Sequence, residues 1–263
     1  MNLFISRWLF VFLLLGGATV QAETVKLVAD PWCPFNCEPG DDAPGYMIEI
    51  AQRVFAEHGI EVEYHTLPWV RALMAVEAGE YSAAVGASRA EAPNFVFPEL
   101  PQGLMNNVFW TLADSDWVYQ GQASLKQINL AIIAGYGYSP ELEAYIRLGL
   151  DSQRVTELFG ETPLQNGILM LERGRIDALL EEQSVFQYQL MHHGRSDTFR
   201  NAGGVAQEAL FSEVYIAFSP ALEGAQHYAD ILTEGMARLR QSGELDKILS
   251  RYGVTDWAVE TPE

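Results

Sequence analysis

Residues Gly45 to Gly59 read GYMIEIAQRVFAEHG, and Ile60 to Thr66 continue directly as IEVEYHT. In the first run Met47, Ile50, Ala51, Val54 and Phe55 recur at helical spacing and form one apolar stripe, the pattern of a helix laid on a sheet. Gly59 ends it, because glycine readily takes the left-handed conformation that closes a helix. In the second run apolar and polar residues alternate, as they do along a strand. Val25 to Asp30 is a short apolar strand. Trp69 to Ala78 reads as a second helix, which Gly79 stops before a strand at Ser82 to Gly86. Strand, helix, strand, helix, strand is the order of an α/β unit with parallel pairing.

The second half of the chain repeats this order. A strand is expected at Ile128 to Ala134, a helix from Pro140, a strand at Arg154 to Leu158, a helix from about Leu164 and a strand at Ile176 to Glu181. Local wording recurs too. Glu77-Ala78-Gly79-Glu80-Tyr81-Ser82-Ala83-Ala84-Val85 matches Glu172-Arg173-Gly174-Arg175-Ile176-Asp177-Ala178-Leu179-Leu180 in its glutamate, glycine, alanine and apolar positions. Two lobes of similar build are therefore expected. After a strand at Glu213 to Ser219, a long helix carries Tyr228, Ile231, Leu232, Met236 and Leu239 on one face, and a short helix follows Gly243. With 263 residues, 49% of them apolar, the chain has material for about two domains with real cores.

Arg7, the apolar run Trp8 to Leu15, and the small residues up to Ala22 read as a signal peptide cleaved after Ala22. The apolar run is too short to span a membrane. Export into a bacterial periplasm is the expected destination. Cleavage leaves 15 basic residues against 35 acidic ones, a net charge of −20, which repels phosphate backbones and argues against a nucleic acid partner. The five histidines and two cysteines show no HExxH or paired CxxC spacing, so no metal or other cofactor is expected. In an oxidising compartment Cys33 and Cys37 are most simply a structural disulfide. A catalytic redox pair more typically has two intervening residues at a helix N-terminus.

Several segments together carry a family resemblance. They are Val25-Lys26-Leu27-Val28-Ala29-Asp30 with Pro34-Phe35, the helix start at Gly45, Leu67-Pro68-Trp69-Val70-Arg71-Ala72-Leu73, Phe95-Val96-Phe97-Pro98, Gly174-Arg175-Ile176-Asp177-Ala178, and Met236 to Gly253. In order and spacing they resemble the bacterial extracellular solute-binding proteins of family 3. The resemblance implies a two-lobed type II periplasmic binding protein fold with the ligand cleft between the lobes, at the carboxyl ends of strands. It places lobe 1 at residues 23–112, lobe 2 at 113–208 and the return to lobe 1 at 209–263. The crossings fall near Thr111 to Asp114 and Gln207 to Ser212.

The same resemblance assigns ligand-binding candidates. Trp69 falls where the family packs an apolar residue on ligand, and Trp32 and Phe35 where it has an aromatic wall. Ser88, after the third strand, lies in the stretch that contacts polar ligands through backbone and hydroxyl groups. The amino acid binders carry an arginine a few residues later; this chain has Glu91 to Asn94 there, which leaves Arg89 and Arg71 as substitutes for pairing with a carboxylate. In lobe 2, Ser139 and Pro140 open a helix as N-cap and first residue, so the amides of Gly137, Tyr138 and Ser139 form an anion site. Glu182, five residues after Asp177, matches the family's acceptor for a ligand ammonium better than Glu181 does, with Gln183 a lesser candidate.

These readings describe a binding module: a monomer that captures a small polar solute, an amino acid or related compound, and presents it to an ABC transporter permease or a sensor. The rival is an enzyme, a periplasmic lyase or dehydratase on the same fold, with an acid in a closed cleft as proton donor. No nucleophile and base motif supports catalysis, and no enzyme activity is expected.

Overall fold

The computed structural model describes residues 23–151, 153–194, 197–205 and 209–258. The signal peptide expected at residues 1–22 lies outside them.

The chain opens with β1 (Thr24–Ala29), α1 (Tyr46–Ala56), β2 (Glu61–Thr66), α2 (Trp69–Glu77), β3 (Ala83–Ala87) and β4 (Gly103–Leu104). It continues through β5 (Asn107–Leu112), β6 (Leu130–Ile133), α3 (Pro140–Asp151), β7 (Val155–Leu158), α4 (Pro163–Glu172), β8 (Ala178–Glu182), α5 (Gln183–His193) and β9 (Phe199–Gly204). It closes with α6 (Ala209–Ser212), β10 (Glu213–Phe218), α7 (Ala225–Ser242) and α8 (Glu244–Ser250). Two five-stranded sheets result, in the orders β2-β1-β3-β10-β4 and β7-β6-β8-β5-β9.

The sheets share one plan. In each, the first strand of a βαβαβ run lies between the other two and pairs parallel with both: β1 with β2 and β3, β6 with β7 and β8. An antiparallel strand then flanks the third, β10 on β3 and β5 on β8. The matching sequences at Glu77 to Val85 and Glu172 to Leu180 are the equivalent joints, α2 into β3 and α4 into β8. Central strands are buried on both faces, as parallel sheets covered by helices must be. Along β1, Leu27 and Ala29 pack with Met47, Val54 and Leu232 of α1 and α7, while Val28 packs with Trp69, Ala72 and Val76 of α2. Along β6, Leu130 and Ile132 meet Leu142 and Ile146 of α3, while Ala131 and Ile133 meet Ile168 of α4 and Phe186 of α5. Side chains of alternate residues leave a strand on opposite faces, so one apolar run serves two layers.

The passage from the first sheet to the second occurs at Met105 and Asn106, between β4 and β5, not near Thr111 to Asp114. Thr111 and Leu112 already belong to β5, whose register on β8 runs from Asn107↔Glu182 to Trp110↔Leu179. An apolar strand such as Val108-Phe109-Trp110 reads alike for either sheet, so its membership waits for pairing. The return lies between β9 and β10, and the Met105 amide donates to the Ser212 carbonyl at 2.7 Å, tying the two crossings side by side. The long C-terminal helix α7 packs on α1 and β10, which returns the end of the chain to the first lobe. No described helix is long and apolar enough to cross a membrane.

Candidate functional site

The loops after β1 and β3 and the loop after β6 meet between the two sheets. They enclose a cavity of about 30 Å³, walled by Trp32, Trp69, Tyr136 and Met105, with Asp30 and Glu91 as its acids. The backbone at Gly86 and Gly137 completes it. This volume holds about two water molecules. A solute of amino acid size therefore enters only when the lobes part or side chains swing. A larger open groove of about 590 Å³ lies on the outer face of lobe 1 beside α1 and α8. Of its charges, Arg53 pairs with Glu244 and Arg251 with Glu49, and Asp41, Asp42 and Lys247 also line it.

Among the described residues, three hydrogen bonds join the lobes across the cavity. Tyr136 Oη donates to Asp30 Oδ2 at 2.8 Å, the Gly137 amide donates to Glu91 Oε1 at 2.9 Å, and Trp32 Nε1 donates to Glu181 Oε1 at 3.2 Å. At about 1 kcal/mol net for each neutral bond and more for a charged one, they hold the lobes by a few kcal/mol. A bound solute can match that.

Glu91 has the richest environment. Besides Gly137, its carboxylate accepts from Trp69 Nε1 at 3.2 Å, from the Ser88 amide at 3.1 Å and from Ser88 Oγ at 2.8 Å. Ser88 Oγ in turn accepts from the Glu91 amide at 3.3 Å. The reciprocal Ser88 and Glu91 bonds have the pattern of a capping box, a Ser-x-x-Glu spacing, here closed on a turn and not on a helix. Gly137 must be glycine for the lobes to meet here, because a Cβ would lie 2.4 Å from Glu91 Cγ.

Burial governs the other acids. Asp30 is pushed up to about 7 by burial, with the neighbouring Glu91 charge adding to the rise and the Tyr136 hydroxyl opposing it. Burial likewise pushes Glu181 up to about 8 against the hydrogen bonds from Glu182 N and Trp32. Glu181 is 3% exposed, and its Oε2 has no hydrogen-bond partner. A carboxyl buried without a counter-charge retains its proton because desolvation penalises the charged form.

The expected site residues divide by place. Trp32, Trp69 and Gly137 come to the cavity, and Ser88 acts one step behind it through Glu91. Phe35 stacks on Trp32 with ring centroids 4.1 Å apart and belongs to the lobe 1 core. Tyr138 turns its ring into the lobe 2 core, and its amide donates to Glu143 at 3.0 Å. Ser139 keeps a buried hydroxyl without a partner. The two arginines do not reach the cavity. Arg89 is held over Phe97 and Tyr215 and donates to the Pro98 carbonyl at 2.8 Å, and Arg71 lies exposed on α2. Glu182 is a helix cap: its carboxylate accepts from the Val185 amide at 2.8 Å and Ser184 Oγ at 2.6 Å. Glu181, the acid passed over in the sequence reading, makes the contact with lobe 1, since neighbours at a strand end leave on opposite sides. Asp30, Glu91 and Tyr136 also escaped that reading. The Ser-x-x-Glu spacing was a signal for Glu91. Cys33 and Cys37 form a disulfide in the loop that carries Trp32.

The sequence profile of the bacterial extracellular solute-binding proteins, family 3, matches residues 25–255. The chain belongs to that family. Solved structures agree in fold. A histidine kinase sensor domain with similarity to periplasmic binding proteins is 16% identical, covers 89% of this chain and 97% of its own, and gives a TM-score of 0.71. A structure from work on glutathione import through GshT and the cystine importer TcyBC of Streptococcus mutans is 18% identical, with 88% and 95% covered and a TM-score of 0.72. The substrate-binding protein AbpA of an amino acid ABC transporter from Streptococcus pneumoniae, bound to L-arginine, is 19% identical, with 87% and 94% covered and a TM-score of 0.68. At these identities the likeness establishes the type II binding-protein fold. No curated protein matches the sequence at a significant level. Solute binding is thus the family's function.

Proposed function

We propose that this family 3 protein is an exported receptor, freed of its leader after Ala22 into the periplasm, that closes its two lobes around a small polar solute. An amino acid or a related compound is the solute class, and an ABC-type permease or a sensor is the partner of the monomer. The observation that carries this reading is the cavity between the sheets, walled by Trp32, Trp69 and Tyr136 and bridged by hydrogen bonds from both lobes. Such bonds form only when the lobes meet, so a solute held there couples binding to closure.

A thermal shift screen of residues 23–263 against amino acids, amines, organic acids and small sugars tests it. A solute bound only by the folded chain raises its stability by about 2.7 kcal/mol at a hundredfold excess over Kd. A rise for one chemical class supports capture, and no rise with any class contradicts it. A second reading, catalysis by a lyase or dehydratase, is favoured by one feature: Glu181 and Asp30 hold protons near neutral pH and so are competent acids. Conversion of the captured solute to product on prolonged incubation is its test.

A further inference from the structure

Four donors converge on Glu91: Trp69 Nε1, the Ser88 amide and hydroxyl, and the Gly137 amide of the opposite lobe. They form an anion site made by both lobes, and the chain fills it with its own carboxylate. Around the rest of the cavity acceptors are left over, beside the Asn107 side-chain amide, which lines it and can donate or accept. Glu181 Oε2, an acceptor once the carboxyl gives up its proton, and Asn36 Oδ1 are buried and without partners. The Asn36 assignment is firm because its Nδ2 donates at 2.6 Å to the Asp30 carbonyl, which can only accept. Both acceptors adjoin the cavity wall. Glu181 holds Trp32, and Asn36 Oδ1 lies 3.8 Å from where a Cβ on Gly86 would stand. Among the described residues that line the cavity there is no Lys, Arg or His, while Asp30 and Glu91 are acids and Trp32, Trp69 and Tyr136 offer ring faces. A buried unpaired acceptor calls for an N–H donor, and an aromatic wall with acids calls for positive charge.

Resting on the capture reading above, we propose that the solute is an amine or guanidinium cation that carries N–H donors and no carboxylate, because Glu91 already occupies the place where a carboxylate would be held. The cation supplies donors to Glu181 and Asn36 and lies against Trp32 and Trp69. Binding then releases protons, since a cation beside Asp30 and Glu181 favours their charged forms.

The test compares matched pairs on the parent protein: arginine with agmatine, lysine with cadaverine, ornithine with putrescine, and choline as a cation without N–H donors. In at least one pair the amine is expected to bind about tenfold or more tighter than its amino acid and than choline. Calorimetry in buffers of different ionisation enthalpy should show protons released. A second arm uses Glu91→Ala, which frees the four donors; there the amino acid of that pair gains affinity by about tenfold. If the amino acids bind the parent as tightly as the amines, this proposal is overturned while solute capture stands. If neither member of any pair, nor any other solute in the wider screen, binds, capture itself fails and this inference falls with it.

Discussion

Glu181 and Glu182 are adjacent, identical and buried, yet the fold separates their tasks. Glu182 caps the N-terminus of α5 with two hydrogen bonds, so Glu182→Ala should lower stability by about 0.5 to 2 kcal/mol, the range for a lost cap, measured by urea unfolding. Glu181→Gln keeps an acceptor for Trp32 Nε1 and removes a carboxyl that burial raises from about 4.5 to about 8. Below pH 4.5 the folded and unfolded parent both carry this proton. Between pH 4.5 and 8 only the unfolded chain releases it, so the parent loses stability as pH rises. The variant lacks that slope. Its unfolding free energy should gain on the parent's by an amount that grows from pH 4.5 to 8, on the order of 1 to 4 kcal/mol at the upper end. A pH-independent difference would show that Glu181 is not raised. No spacing rule in the sequence tells which glutamate faces the cleft, because the choice depends on where β8 stops and α5 starts. The arginines show the same limit. Arg89 stands one residue after Ser88, but aromatic rings contributed by Phe97 and the distant Tyr215 draw it away from the cavity.

At the scale of elements, the loop from β6 to α3 meets lobe 1 through glycines. A Cβ on Gly137 would meet Glu91 Cγ at 2.4 Å, and one on Gly135 would meet Val70 Cγ2 at 2.4 Å. Gly137→Ala should therefore hold the lobes apart without disturbing either core. Solution scattering should give a larger radius of gyration for the variant, and solute affinity should fall by about tenfold or more; an unchanged radius would mean that the lobes do not close at this contact. The disulfide loop is the other element at the rim. Breaking the link between Cys33 and Cys37 frees a short loop, a loss of about 2 kcal/mol by chain entropy. Cys37→Ser should lower Tm accordingly and weaken solute binding, because the same loop sets Trp32. The strands and helices around these loops were legible from apolar periodicity, as at Met47 to Phe55. The meeting of Gly137 with Glu91, 46 residues apart, was not, since it is a property of closure and of no single element.

On the scale of the molecule, the two sheets repeat one topology, and the recurrence of Glu77 to Val85 in Glu172 to Leu180 was its trace in the sequence. The net charge of −19 gives the whole surface a field that draws cations toward an acidic cleft. Association with an amine should accordingly slow as ionic strength rises, while a neutral solute would show no such dependence. Capture of a solute between the lobes is tested most directly by calorimetric titration. The solute that raises Tm most is titrated into the parent and into Glu181→Gln. Capture in the cleft predicts one site per chain in the parent and binding weaker by about 1 to 3 kcal/mol in the variant, the scale of a lost charged hydrogen bond. Equal affinity in the two proteins would place the solute outside the cleft and contradict it.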